Sequence, residues 1–341
     1  MAAAKNPAKT LMSSFKELGL TAAQVRHFVP EWWEDEAGAE ESGLLELQIV
    51  LARRLNVALD SLREATPKPQ FQASTRRFKT VHPEGSTQLA VAAGIGHGLA
   101  HVLAGACAPA LTGNLVASGA LRSQILQKHP AVTLEALCTW LWQHGIPVVH
   151  ITNWPKLVRR PDAMCVRVGN RPVVLVVRKE VAPARLTYLV AHEVGHVMSG
   201  HLQADNNAIL VDDTLPVEGQ AFAKDDDEKA ADVYAMNLLG GAALSTACKS
   251  IGQQHDEAKL AVAALTASKG SGLDAGQIIL GWARLTEDWK LAGLAMRYLM
   301  TTGPAPAVVN DVAKRYLNTD AVSSDGLEHV SQLTGMQFDD A

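Results

Sequence analysis

Between Leu11 and Leu62 apolar positions recur at the three-and-four spacing of amphipathic helices, closing in LLELQIVLARRLNVALDSL. Gly19 supplies a helix stop and Thr21 the cap of the next helix. Residues 1–66 therefore predict a small helical module. Pro67, Pro69 and Gln70 mark a linker, and from Gly85 to Ala120 there is no Asp, Glu, Lys or Arg. A run of about twenty apolar residues is long enough to span a bilayer. This one is built of Ala and Gly, is interrupted by His97, His101 and Pro109, and is poor in the Leu, Ile and Phe that drive insertion. The expectation for residues 67–125 is a linker followed by a closely packed buried helix, with no membrane contact.

TLEALCTWLWQHG then predicts an amphipathic helix stopping at Gly145. IPVVHI, AMCVRVG and RPVVLVVR follow, three short runs rich in β-branched residues and separated by turn residues, which predict a small sheet. Helical spacing resumes after Pro183 through LTYLVAHEVGHVMSGHL and, across a long loop, EKAADVYAMNLLG. It continues beyond Gly241 to about Tyr316 and ends in a polar tail. The predicted fold is α+β and predominantly helical, with a central unit at 126–245 and a helical C-terminal region at 246–341.

Composition narrows the function classes. With 48% hydrophobic and 19% charged residues the chain is globular rather than disordered. Its 31 basic and 35 acidic residues give a net charge of −4, so no general polyanion-binding surface is expected. Cys107, Cys138, Cys165 and Cys248 form no CxxC pair, which fits reduced, buried structural thiols. The start, MAAAKNPAKT, lacks the apolar core of a secretory signal, so the expected location is the cytoplasm.

The N-terminal outline of a short helix, GLTAAQV, an irregular middle and VLARRLNVALDSL resembles a degenerate Xre-type helix-turn-helix domain. Where that family places its turn and recognition helix, this chain has EWWEDEAGAEE, and residues 31–46 hold seven acids and no base. Such a segment repels phosphates. DNA binding by residues 1–66 alone is therefore not expected, although residues 52–80 carry seven basic against two acidic residues.

The candidate chemistry is concentrated in His192, Glu193 and His196, an HExxH sequence. Four residues is just over one helical turn, so both imidazoles project from one face toward one Zn²⁺, with Glu193 beside the remaining coordination position. Two candidates stand for the third ligand. His201 is near, but HEVGHVMSGH has Ser199 and Leu202 where the HExxHxxGxxH pattern requires Gly and His. Glu228 is the better candidate, and Asp232, one turn further on, is placed to accept the ring N–H of a ligand histidine. Asp225, Asp226, Asp227 and Glu228 also suit the positive end of a helix. Tyr188, His201 and Tyr234 are candidate transition-state or substrate contacts, and the acid-rich loop from Asp205 to Asp227 is a candidate lid. His97 and His101 share the same four-residue spacing, but with no carboxylate beside them in sequence they are expected to fill core or capping roles.

Taken in order, the helix leading into Gly145-Ile-Pro-Val-Val, the small sheet, the HEVGH helix and the Glu228–Leu239 segment EKAADVYAMNLL resemble the ImmA/IrrE family of zinc metallopeptidases, over about residues 130–240. The resemblance implies a zincin-like catalytic domain with His192, His196 and Glu228 as zinc ligands and Glu193 as catalytic carboxylate. The second acid of that family's ExEA motif is Ala230 here. Members commonly cleave helix-turn-helix repressors, which implies a protein substrate and control of gene expression in a stress, phage or mobile-element response. The competing class is a non-proteolytic, zinc-braced regulator that binds DNA or protein.

Overall fold

The computed structural model describes residues 6–79, 86–109, 116–180, 182–203, 205–213, 226–299 and 303–338. The chain is α+β and mostly helical, with one mixed five-stranded sheet. In the N-terminal module Asn6 caps α1 (Pro7–Ser14), Gly19 turns the chain at φ 83°, and Thr21 with Gln24 forms a reciprocal capping box on α2 (Ala22–Arg26). Helices α3 (Glu41–Arg54) and α4 (Leu59–Arg63) complete it. The acid-rich middle forms no α-helix. It winds through turns and one 3₁₀ turn, Ala37–Ala39, around the buried Trp33, whose indole N–H donates to the Gly43 carbonyl.

The strands are β1 (Arg76–Lys79), β2 (Val148–His150), β3 (Ala163–Val168), β4 (Arg171–Val176) and β5 (Ile209–Asp212), in the order β1-β5-β3-β4-β2. β3 pairs antiparallel with β4 and β5, and the outer pairs β1/β5 and β2/β4 are parallel. The apolar runs after Gly145 supply β2, β3 and β4. β1 and β5 fall in segments expected to be linker and loop, because four residues are too few to show a period and RRFK is not apolar.

Strand alternation fixes what covers each face. Met164 lies against Gly96 of α5 (Ser86–Ala106), whereas the next residue, Cys165, donates its thiol to Glu193 of α8 (Pro183–Met198). Successive strand residues point to opposite faces, so α5 covers one face and α8 the other. With both faces covered, the central strands read as unbroken apolar runs. The apolar stretch Gln88–Ala106 of α5 is long enough to cross a membrane, yet 72% of it is buried inside the protein. Its small residues have a specific use. A Cβ on Gly94 would stand 2.6 Å from the Leu55 carbonyl oxygen, and one on Gly98 only 2.2 Å from that of Arg54, so α5 and the end of α3 meet backbone to backbone.

Helices α6 (Ser118–Leu126) and α7 (Leu134–Gln143) precede the sheet, and α9 (Asp226–Leu239) packs on α8. One apolar core runs from Ala8 to Met336 and crosses the boundaries expected near 66 and 125. A second core, around Leu260, Ile278, Ile279 and Trp282, joins α10 (Gly241–Ile251), α11 (Glu257–Ser268), α12 (Ala275–Thr286) and α13 (Trp289–Met296). The chain then returns to the first core. Asn310 of α14 (Ala305–Tyr316) closes the free edge of β2, accepting from the His150 amide and donating to its carbonyl. The polar tail contains α15 (Ser324–Thr334), capped by Ser323, which buries Val330, Leu333, His329 and Thr334 and turns Asp325 toward the buried Arg54.

Candidate metal centre

The centre is built where α8, α9 and β5 converge. Its spacing depends on Gly195, the glycine of HEVGH. A Cβ there would lie 2.7 Å from the Ala231 carbonyl oxygen and 2.8 Å from its Cα, so a glycine lets α9 approach close enough to bring Glu228 to the histidines. Glu228 sits in the first turn of α9 with Asp226 and Asp227, where acids are favoured by the helix dipole.

His192, Glu193 and His196 are fully buried, and the two imidazoles face each other with their Nε2 atoms 3.1 Å apart. Glu228 spans both: Oε2 is 3.4 Å from His192 Nε2, and Oε1 is 3.3 Å from His196 Nε2. The outer nitrogens are occupied as well. Asp232 stands 3.0 Å from His192 Nδ1 and accepts a 2.8 Å hydrogen bond from the Tyr188 hydroxyl. Since an ionised carboxylate only accepts, the neutral His192 ring keeps its hydrogen on Nδ1, and Nε2 is the nitrogen that would ligate a metal. His196 Nδ1 is 2.8 Å from His201 Nδ1, and His201 Nε2 is 3.5 Å from Asp227. His201 therefore supports His196 from behind.

A fourth group completes the cluster. Asp212, the last residue of β5, is 1% exposed, and its Oδ2 lies 3.7 Å from His192 Nε2 and 3.8 Å from His196 Nε2. One donor atom from each of His192, His196, Asp212 and Glu228 falls within 4.8 Å of all the others. Buried carboxylates gathered on two imidazole nitrogens need a cation to offset their desolvation, so this set fits a metal ion.

The electrostatics agree with that fit. Burial opposes protonation of His192, but Asp232 and Glu228 outweigh it and hold its pKa up at about 9. Burial likewise opposes ionisation of Glu228, yet its contacts with His192 and His196 keep it well below the usual carboxylate range. Asp212 goes the other way, pushed well above that range by burial and then by the charge of Glu193. Burial raises Glu193 to about 7, although hydrogen bonding with Asp212 and Cys165 favours its charged form. Cys165 donates to Glu193 Oε2 at 3.0 Å and remains a thiol, since burial and the Glu193 charge push its pKa far up.

The residues singled out from sequence are thus distributed around one point. His192, Glu193, His196 and Glu228 meet there, and Asp232 and His201 stand behind the two histidines. The Tyr188 hydroxyl is engaged by Asp232, and the Tyr234 hydroxyl donates to the Val116 carbonyl at 2.7 Å. Of the candidate lid, residues 214–225 lie outside the described residues. Sequence reasoning missed Asp212 and Cys165. Ile209-Leu210-Val211 before Asp212 was the available signal for a strand, and Cys165 was read as inert packing. No family model, curated protein or solved structure matches this chain.

Proposed function

We propose that this protein is a zinc-dependent endopeptidase with a zincin-like catalytic unit, cleaving a regulatory protein of the helix-turn-helix repressor class in the cytoplasm. Glu193 carries the reading. It is a wholly buried carboxyl beside the donor set, its Oε2 accepting from the Cys165 thiol and the carboxyl hydrogen-bonded with Asp212. An ion that only braced the fold would have no use for it. The chemistry a bound zinc supplies at such a site is polarisation of the scissile carbonyl and acidification of a water. Glu193 would take the proton of the attacking water and pass it to the leaving amine, the work of a general base and then a general acid. Asp232 and His201 fix the imidazole rings so that their Nε2 atoms face the ion. Substrate class and setting follow from the ImmA/IrrE resemblance: removal of a repressor in a stress, phage or mobile-element response.

One observation favours a second reading. Asp212 adds a fourth protein donor, as in closed structural zinc sites, which suits a zinc-braced regulator. Glu193→Gln separates the two. Zinc content and folding should be retained, while cleavage of a helix-turn-helix repressor, sought first among the products of the flanking genes, falls by roughly 10²–10⁴-fold. Release of the repressed gene that survives Glu193→Gln but not His196→Ala would establish the braced regulator instead.

A further inference from the structure

We infer that Asp212 is a fourth protein ligand to the ion held by His192, His196 and Glu228, so that the resting site is closed. This rests on the metal-dependent reading above. In a tetrahedral zinc site with bonds of about 2.0–2.1 Å, neighbouring donor atoms stand roughly 3.3–3.4 Å apart. The two imidazoles stand 3.1 Å apart, Glu228 Oε2 and Oε1 are 3.4 and 3.3 Å from them, Asp212 is 3.7 and 3.8 Å away, and the whole donor set falls within 4.8 Å, so the four would draw together around an ion. Asp212 is the loosest of the four, and it sits on the strand opposite the two helices.

Its placement is built into the sheet. Asp212 pairs in register with Ala163, as Leu210 does with Cys165. By strand alternation Asp212 and Leu210 share the face of Cys165, which is the face covered by α8. The Asp212 carbonyl accepts from the Asp162 amide at 2.8 Å, and the next residue, Asp213, is clamped by two hydrogen bonds from Arg159. The strand end is thus held from both sides. Among the described residues no N–H donor reaches either oxygen of Asp212, which is 1% exposed and has the Glu193 carboxyl as a hydrogen-bonding neighbour. A buried carboxyl fixed in place without such a donor either holds a proton or is compensated by a cation, and its position 3.7 and 3.8 Å from the two imidazole Nε2 atoms is where a bound cation would be held.

With four protein donors the position that water and a scissile carbonyl need is occupied. Turnover then requires Asp212 to withdraw or the coordination shell to expand.

The test uses the full chain loaded with Co²⁺ alone, comparing wild type, Asp212→Asn and Asp212→Ala by the visible ligand-field bands with and without azide. Wild type should bind Co²⁺ with bands that azide does not shift. Asp212→Ala should bind at least about 10-fold more weakly, the lower end of what loss of an outer-shell partner costs, with bands that azide does shift. Should Asp212→Ala fail to fold, the near-isosteric Asp212→Asn and the azide response of the wild type decide between the same outcomes. Azide-sensitive wild-type bands together with undiminished Co²⁺ affinity in the Asp212 variants would overturn the fourth ligand while leaving the three-ligand site intact. A wild type that takes up no Co²⁺ overturns the metal-dependent reading and, with it, this inference.

Discussion

Helices α5 and α8 are both buried and apolar, and each carries histidines four residues apart, His97 with His101 and His192 with His196. Around the α8 pair, Asp232 and His201 hold the outer nitrogens, and Glu228 and Asp212 bring carboxylates from α9 and β5 to the inner ones. The α5 pair has nothing comparable. His97 is fully buried with no hydrogen bond to either ring nitrogen, while His101 is exposed. The spacing aligns two rings, and what packs opposite decides their chemistry. α5 meets the end of α3 through Gly94 and Gly98 at backbone contact, and the carboxylate nearest that junction, Asp325, is engaged by Arg53 and Arg54. α8 meets α9 through one glycine, Gly195, with Glu228 and Asp232 emerging from α9 on either side of the contact with Ala231.

The largest expected difference between the pairs is in metal content. Wild type should retain about one zinc per chain after dialysis. His192→Ala, His196→Ala or Glu228→Ala should lose most of it, since zinc binding in small zinc domains is worth on the order of 10 kcal/mol. His97→Leu should keep it. Elemental analysis of the four purified variants checks this, and metal loss in His97→Leu equal to that in His192→Ala would remove the distinction between the helices.

A smaller effect sharpens the comparison at the outer nitrogens. Asp232→Ala and His201→Ala should each weaken zinc binding by roughly 10–100-fold without abolishing it, because they free a ring to rotate and lower its basicity. Chelator competition measures this directly. Substituting His101, which supports no ligand, should leave the zinc constant unchanged, and an equal loss there would mean that the effect is general destabilisation.

What the sequence made legible follows from the range of the interactions. HEVGH and the Glu228–Asp232 spacing are local, each set within one or two helical turns, and a helix fixes which side chains share a face. Thr21 with Gln24 and the apolar runs of β3 and β4 are local in the same sense. Asp212 is not: it joins the site only because β5 pairs with β3, and four residues of strand inside an acidic loop carry little periodicity. Cys165 reaches Glu193 across the sheet–helix interface, a contact that neither segment encodes alone. α15 was obscured because its burial depends on α5 and the N-terminal module, far away in the chain. HExxH could therefore be read as chemistry, whereas the arrival of Asp212 beside it required the topology.

The smallest effect concerns protons. Burial, and then the charges of His101 and Arg76, hold His97 down at about 4, against about 6.5 in an unfolded chain. As pH falls below about 6.5 the unfolded chain takes up a proton that the fold refuses, so His97 costs stability at about 1.4 kcal/mol per pH unit down to about 4. His329, held at about 3 by burial and by Arg54 and Arg53, acts in the same direction. In the metal-free protein His192 has the opposite sign in a higher window. Its pKa of about 9 gives stability that is fully present below about 6.5 and is lost as pH rises through 9. Glu193, raised to about 7, also favours the fold as pH falls, so the raw pH curve mixes opposing slopes. The readout is therefore the difference between metal-free wild type and His97→Leu in urea titrations from pH 7.5 to 5. The variant should gain on the wild type by about 1.4 kcal/mol for each unit below about 6.5 and be parallel to it above. Parallel curves across the whole range would mean that His97 accepts a proton inside the fold, and the absence of ring partners would then no longer distinguish the histidine of α5 from those of α8.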